Sequence, residues 1–448
     1  MLVLQACVVL PLALGVAAAF NPTEYREQLR SSGKLVFGHH ASPLARRSVE
    51  TSELAGLVIN TAVISVGTPA QKFDAIIDTG SMDMWFQSTL MSFPSAGIAL
   101  YDDSKSSTYQ AGNTSSVTLT YGDDTAVTGF AVKDVVVVDD STIPGFTFMK
   151  VGAYKRATTN SAAYPAMMGL SLPINEASSP RVRAVAQMGT TVTAQLSKAN
   201  ITSFSYQSGI NGAKGKITFG AAGKDQDSAS AVRIPLSQLS QPISDVMWTV
   251  NITGAAYGAT SSGLNTVAIL DTGTSLTFLP DPLVHTIGMA TGGKVIPAPL
   301  GVSAAQWPAV YTFDCSAAKT NKDLILTINN QTLSIPAAVY IHNPLKDVAK
   351  FGHCILGIMG TGSNEPAGIM GMNLLRAFYT TWSWTTREVA FSPIATAAVV
   401  PEGTPASSSG SGLPSSTSPA PAKSSAVSSQ KTGVIVALVA FVGAAFAL

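Results

Sequence analysis

Charge is scarce in this chain. Only 12 % of its 448 residues are Asp, Glu, Lys or Arg, about half the usual quarter, and 27 cations nearly cancel 26 anions. With no basic excess there is nothing to neutralise a phosphate backbone, which excludes nucleic acid as a partner. Cysteine is scarcer still: three in this length exclude a disulfide-dense mini-domain and a zinc ribbon. The five His, at 39, 40, 285, 342 and 353, are scattered and read as surface or structural residues rather than metal ligands. No Gly-x-Ser-x-Gly elbow and no His-Glu-x-x-His helix occurs, so serine-hydrolase and zincin chemistry lack support. Gly360-Thr-Gly-Ser does not open a helix after a strand, so a phosphate cradle is unsupported too. Neither a metal nor a cofactor is expected. What the chain has in quantity is apolar residues, 46 %, and enough length for two or three domains at roughly 100–200 residues each.

The two ends stand apart from the body. Residues 1–19 (MLVLQACVVLPLALGVAAA) are apolar and end in three small residues before Phe20, the pattern of a secretory signal. An N-terminal membrane anchor is the competing reading, disfavoured by the short run and the missing flanking charge. Residues 20–47 carry a net charge of +3, with Arg26, Arg30, Lys34, Arg46 and Arg47 against Glu24 and Glu27; residues 48–395 carry −3. A basic leader on an acidic body suggests a docked pro-segment, with Lys34 reaching the site and Arg46-Arg47 as the processing point; a solvated linker is the alternative. From Pro401 to Gln430, Ser, Thr and Pro fill 18 of 30 positions, a composition that cannot bury a core. The sixteen uncharged residues Gly433–Leu448 follow. A greasy tail behind a Ser-rich spacer fits a glycolipid-anchor signal, with attachment at Ser424, and places the protein on the outer cell surface. The alternative is a true span, for which sixteen residues reach only about 24 Å as helix.

Secretion changes the meaning of the cysteines. Cys7 departs with the signal, leaving Cys315 and Cys354 as one disulfide or as two buried thiols.

Between Leu57 and Phe391 the chain reads in short β-type runs broken by Gly, Pro, Asn and Asp. Val117–Tyr121, Thr128–Val132, Val135–Val138, Lys216–Phe219, Trp248–Ile252 and Leu324–Ile328 are examples, joined by turns such as Gly122-Asp123-Asp124. Helical spacing is confined to Thr191–Ala199 and Pro282–Met289, so the fold class is all-β. Asn113, Asn200, Asn251 and Asn330 stand in glycosylation sequons.

An internal repeat is the sharpest signal. Ala75-Ile-Ile-Asp-Thr-Gly-Ser81 recurs 193 residues later as Ala268-Ile-Leu-Asp-Thr-Gly-Thr274. Each copy has a later echo, Met167-Met-Gly-Leu170 and Ile369-Met-Gly-Met372, with the Gly 91 and 100 residues after its Asp. Two lobes are expected, over residues 48–224 and 225–396. In each, an apolar strand would deliver an Asp to its end, Gly80 or Gly273 would let the chain turn, and the hydroxyl of Ser81 or Thr274 would reach the carboxylate. Met across a pseudo-twofold axis, Asp78 and Asp271 would share one proton, because like charges so close cannot both ionise. The ionised partner could then take a proton from water while the neutral one donates to a carbonyl, which is general acid–base hydrolysis.

On these motifs the chain resembles the pepsin-like aspartic proteases over about residues 57–393. The resemblance implies a bilobal β fold with a cleft for an extended peptide, Asp78 and Asp271 as the catalytic pair, and Thr79 and Thr272 bracing their loops. It further implies Ser81 and Thr274 as supporting hydroxyls, Tyr121, Gly122 and Asp123 as a flap tip bonded to Trp85, and Cys315–Cys354 as the second-lobe disulfide. Protein or peptide is then the substrate, hydrolysed at acid pH by a monomer. Departures are visible: Met82 and Asp83 where Ser and Asn are commoner, Pro165 for Asp, and Trp382-Ser383 for Phe-Asp. Two other readings compete, a protease-fold binding protein without turnover and a cell-wall glycoprotein; the second explains the stalk but not the repeat. Ile76 and Ile269, two residues before each Asp, read as subsite walls or as plain core.

Overall fold

A computed structural model of the chain describes residues 49–53, 60–92, 94, 97–112, 114–121, 125–155, 164–174, 187–209, 215–220, 230–237, 243–297, 308–342, 353–361 and 367–394. The expected signal, leader, stalk and tail lie outside the described residues, as do Asn113, Gly122, Asp123 and Ser424.

β-branched and aromatic residues alternate through the body, and the chain forms strands wherever they do. Leu324–Ile328 alternates buried and half-buried along its length, the mark of a sheet with one face on the core. Where two strands were expected over Thr128–Val138, one continuous strand, Ala126–Val138, pairs with Ser141–Lys155. The register shifts between Asp134 and Val136, a bulge that the sequence pattern presents as a break. Asp134 lies wholly buried there and accepts from the hydroxyls of Tyr101 at 2.7 Å and Thr108 at 2.6 Å. Both expected helices form. Val192–Lys198 is capped by Thr191, whose hydroxyl accepts from the Ala194 N–H, and Asp281–Ala290 carries Pro282 in its first turn.

The duplication has a structural counterpart. Strand Gln71–Asp78 runs parallel to Ala166–Gly169, with Asp78 opposite Gly169. Strand Thr260–Asp271 runs parallel to Ala367–Gly371, with Asp271 opposite Gly371. Each echo strand is flanked on its other side by an antiparallel partner, Met84–Gln87 in the first half and Thr277–Leu279 in the second. Both echo glycines are required by crowding. A Cβ at Gly169 would stand 2.6 Å from the Asp83 nitrogen, and one at Gly371 would run into the Leu276 carbonyl. The chain just past each Asp-Thr-Gly, at Ser81 and Asp83 in the first half and Thr274 and Leu276 in the second, passes over these two positions.

The halves are not independent. Among the described residues, a 13-stranded sheet begins with 232–235, 388–393 and 378–383 from the second half. It continues through 203–207, 215–219 and 49–53 into the first-half strands 60–66 and 71–78. The lobes expected on either side of residue 224 thus share strands. Aromatic packing seals the join: Trp382 stacks on Phe204 at 5.6 Å and meets Trp248 edge-on at 5.1 Å, while Trp248 Nε1 donates to the Leu170 carbonyl. Trp382, a departure in sequence, is therefore a core residue.

A four-stranded sheet in the second half holds the disulfide. Tyr311–Asp314 pairs with His353–Leu356, Phe313 lies opposite Cys354, and Cys315 and Cys354 are bonded across a separation of 39 residues. Replacing both cysteines by serine should cost roughly 3–4 kcal/mol on the chain-entropy model, read as a lower denaturant midpoint, with a higher m-value because the freed unfolded chain is more expanded.

Candidate active site

Each Asp-Thr-Gly begins where its strand ends, and the backbone then folds back on its own carboxylate. The Gly80 N–H donates to Asp78 Oδ1 at 2.8 Å, and the Gly273 N–H donates to Asp271 Oδ1 at 2.8 Å. The hydroxyl of Thr274 donates to Asp271 Oδ2 at 2.6 Å. Ser81 is placed less symmetrically: its Oγ lies 3.5 Å from Met167 Sδ and is also near enough to the Asp78 carboxyl to lower its pKa. A sulfur partner is a weak acceptor, and the sequence flagged Met167 only as part of the echo.

The two loops are locked by their threonines. The Thr79 N–H donates to Thr272 Oγ1 at 3.1 Å, and the Thr272 N–H donates to Thr79 Oγ1 at 3.0 Å. Each hydroxyl then donates onward across the axis, Thr79 to the Leu270 carbonyl and Thr272 to the Ile77 carbonyl. Both threonines are fully buried, so removing either hydroxyl would strand buried polar groups at about 1–3 kcal/mol each.

The lock brings the carboxyls together. A Cβ at Gly80 would lie 2.6 Å from all three carboxyl atoms of Asp271, and one at Gly273 would run into the Asp78 carboxyl. Glycine is needed here for close approach rather than for its dihedral freedom. Burial raises the Asp78 pKa well above the ordinary carboxylate range and the Asp271 charge raises it further, while hydrogen bonds from Ser81 and the Gly80 N–H oppose the shift. A carboxyl held protonated beside a second carboxyl supplies one group able to donate a proton and one able to accept.

Strands Ser116–Thr120 and Ala126–Val138 form the expected hairpin beside the pair, with the Tyr121 N–H donating to the Thr125 carbonyl. Trp85 Nε1 donates to the Tyr121 hydroxyl at 2.6 Å. Around this bond pack Ile76, Leu119, Met149 and Met167. Ile269, by contrast, is half-buried with Met82 against Ile174, Val246 and Met247, so the two isoleucines face different apolar clusters. Asp83 drew attention in sequence only as a departure. It is 7 % exposed, and its Oδ1 has no hydrogen-bond partner. Burial pushes its carboxyl up to about 7.

The other singled-out residues are distant in role. His285 Nδ1 lies 2.6 Å from the Tyr311 hydroxyl, a structural contact. Among the described residues no group of three or more His, Cys, Asp or Glu could hold a metal ion, and no helix is long and apolar enough to cross a membrane. Asn200 and Asn330 are exposed in turns with positive φ, whereas Asn251 is half-buried within a strand.

The family model of the eukaryotic aspartyl proteases matches residues 61–394. Among curated proteins, the chain is 26 % identical to a probable vacuolar protease A of Arthroderma benhamiae, over 71 % of this chain and 74 % of that protein. It is 28 % identical to rhizopuspepsin-1 of Rhizopus niveus, over 74 % and 78 % of the two chains. A probable aspartic-type endopeptidase, opsB, of Aspergillus oryzae is 26 % identical over 73 % of this chain and 66 % of its own length.

Proposed function

The chain belongs to the eukaryotic aspartyl protease family and is an aspartic-type endopeptidase; we propose that Asp78 and Asp271 carry its reaction. One carboxylate takes a proton from water as the oxygen attacks the peptide carbonyl. The other, still protonated, donates to the carbonyl oxygen, and no covalent intermediate forms. Tyr121, held by Trp85, covers the peptide from the hairpin side. The observation that carries this reading is the approach of two carboxyls so close that neither opposing glycine can bear a methyl group.

The finer reading is of a secreted zymogen held at the outer cell surface by a lipid. Its support lies in the sequence: an apolar N-terminus, a leader of +3 before a body of −3, and an uncharged tail behind a Ser-rich stalk. At neutral pH the leader's cations pair with ionised carboxylates near the cleft, and acid protonates those partners and loosens it. A form beginning at Ser48 should therefore outpace one beginning at Phe20 at neutral pH. Treating cells with a phosphatidylinositol-specific phospholipase should release the protein; retention would point to a true span.

The decisive assay is cleavage of an unfolded protein at acid pH. We expect cleavage that a statine-type transition-state analogue blocks. Intact substrate with a well-folded protein would favour the binding-protein reading, which Met82 and Asp83 keep in view.

A further inference from the structure

The hydroxyl beside Asp78 has a sulfur for its other neighbour. Ser81 Oγ lies 3.5 Å from Met167 Sδ, whereas its counterpart Thr274 donates to Asp271 Oδ2 at 2.6 Å. The Ser81 backbone is pinned, its carbonyl accepting from the Ser171 N–H at 2.9 Å, so only the hydroxyl is free to swing.

The echo strand sets the place of the sulfur. Met167 lies opposite Ile76 on one side and Trp85 on the other, so the three side chains share one face of the sheet. There they form a cluster with Leu119, Val127, Met149 and Val151, against which Tyr121 packs. One thioether therefore stands between the hydroxyl beside Asp78 and the apolar seat of the Trp85–Tyr121 bond. Among the buried members of that cluster Met167 is the most exposed, at 9 %, while Met149 and its own strand neighbour Met168 are 0 % exposed. The residues next to it, Ser81, Tyr121 and Tyr164, are only half-buried and open this side of the cluster to solvent.

We propose that Met167 is an oxidation site: a small hydroperoxide such as hydrogen peroxide converts it to the sulfoxide, and the new oxygen takes the Ser81 hydroxyl as its donor. A sulfur lone pair attacks one peroxide oxygen, and the S–O bond forms as the O–O bond breaks. The departing hydroxide takes the proton of the transferred oxygen and leaves as water. Sulfur loses two electrons and the peroxide gains two. A thioether is a weak acceptor that competes poorly with a carboxylate, but a sulfoxide oxygen is strongly polar. Its hydrogen bond draws Ser81 away from Asp78, and its dipole disturbs the apolar packing under Trp85 and Tyr121. The resulting loss of turnover rests on the proposed function; the oxidation itself does not.

The test treats wild type, Met167→Leu and Met289→Leu with graded hydrogen peroxide and reads sulfoxide at each methionine by peptide mass spectrometry. Met289, 68 % exposed in the last turn of the helix Asp281–Ala290, should oxidise first and leave the rate unchanged. Met167 should follow ahead of Met149 and Met168. Wild-type kcat/KM should fall in step with Met167 sulfoxide, by about tenfold at full conversion. Met167→Leu, similar in volume but without sulfur, should keep its own starting rate at the same doses. An equal loss in Met167→Leu would overturn the proposal, as would a wild-type loss that follows Met82 or Met188 instead. The second of these readings needs no variant and decides even if Met167→Leu fails to fold. In Ser81→Ala, which has no hydroxyl to lose, the same oxidation should cost less than in wild type; an equal cost would overturn the route through Ser81. Ordered oxidation at Met167 in a protein that cleaves no peptide would retain the site and remove the proposed function.

Discussion

Asp78→Asn or Asp271→Asn, each alone, is expected to lower kcat by about 10³-fold or more while leaving the fold in place. Asn keeps the shape and the acceptor oxygen that Gly80 or Gly273 binds through its N–H, so the loop geometry has no reason to change. What disappears is the ability to exchange a proton, and each carboxyl holds a role the other cannot fill. The wild-type rate should be bell-shaped in acid. Its upper limb falls when the pair gives up its last proton, and because burial and the Asp271 charge raise the Asp78 pKa, that limb lies above the ordinary 3.8. Near-normal turnover in either variant, or an optimum above about pH 8, would contradict a shared proton.

Gly80→Ala and Gly273→Ala should be nearly as damaging, by a different route. The added methyl at Gly80 meets the Asp271 carboxyl at 2.6 Å, and at Gly273 it meets the Asp78 carboxyl. One carboxyl must then move by the order of an ångström, and misplacement on that scale costs about 10²-fold in rate. The kinetic signature differs from that of the Asn variants. Proton exchange remains available, so the bell-shaped pH profile should survive at a lower height. Turnover within a few-fold of wild type would show that the carboxyls are not held as close as the glycines imply.

How much of this could be seen in advance depends on range. The paired Asp-Thr-Gly motifs were legible because each repeats an ordered set of residues whose chemistry is local: strand, turn, hydroxyl. The all-β class was legible for the same reason, since alternation and turn residues act over a few positions. The merging of Thr128–Val132 and Val135–Val138 was not, because a bulge at Asp134 looks like a break until its buried partners Tyr101 and Thr108 are known. The Cys315–Cys354 disulfide was legible through the family resemblance, whereas the pairing of strands 311–314 and 353–356 that brings the two cysteines together was not. Asp83 shows the limit most clearly. A carboxylate that departs from a pattern reads as a subsite change, and only its surroundings show that it lacks a partner. Met82, its neighbour, proves to be packing for the apolar cluster around Met247.

The sheet that joins the halves bears on how this chain can fold. Thr380 pairs with Tyr206, and strand 388–393 in turn pairs with 378–383 and 232–235. The threonine lock closes a separation of 193 residues. Contacts this distant form late, because long loops must close before any pairing compensates the lost chain entropy. During synthesis the strand 203–207 must therefore wait, one edge open, until nearly the last described residues emerge. A chain stopped before residue 378 would keep that edge exposed, with Phe204 and Trp248 deprived of Trp382, and it should accumulate as aggregate rather than as a soluble first lobe.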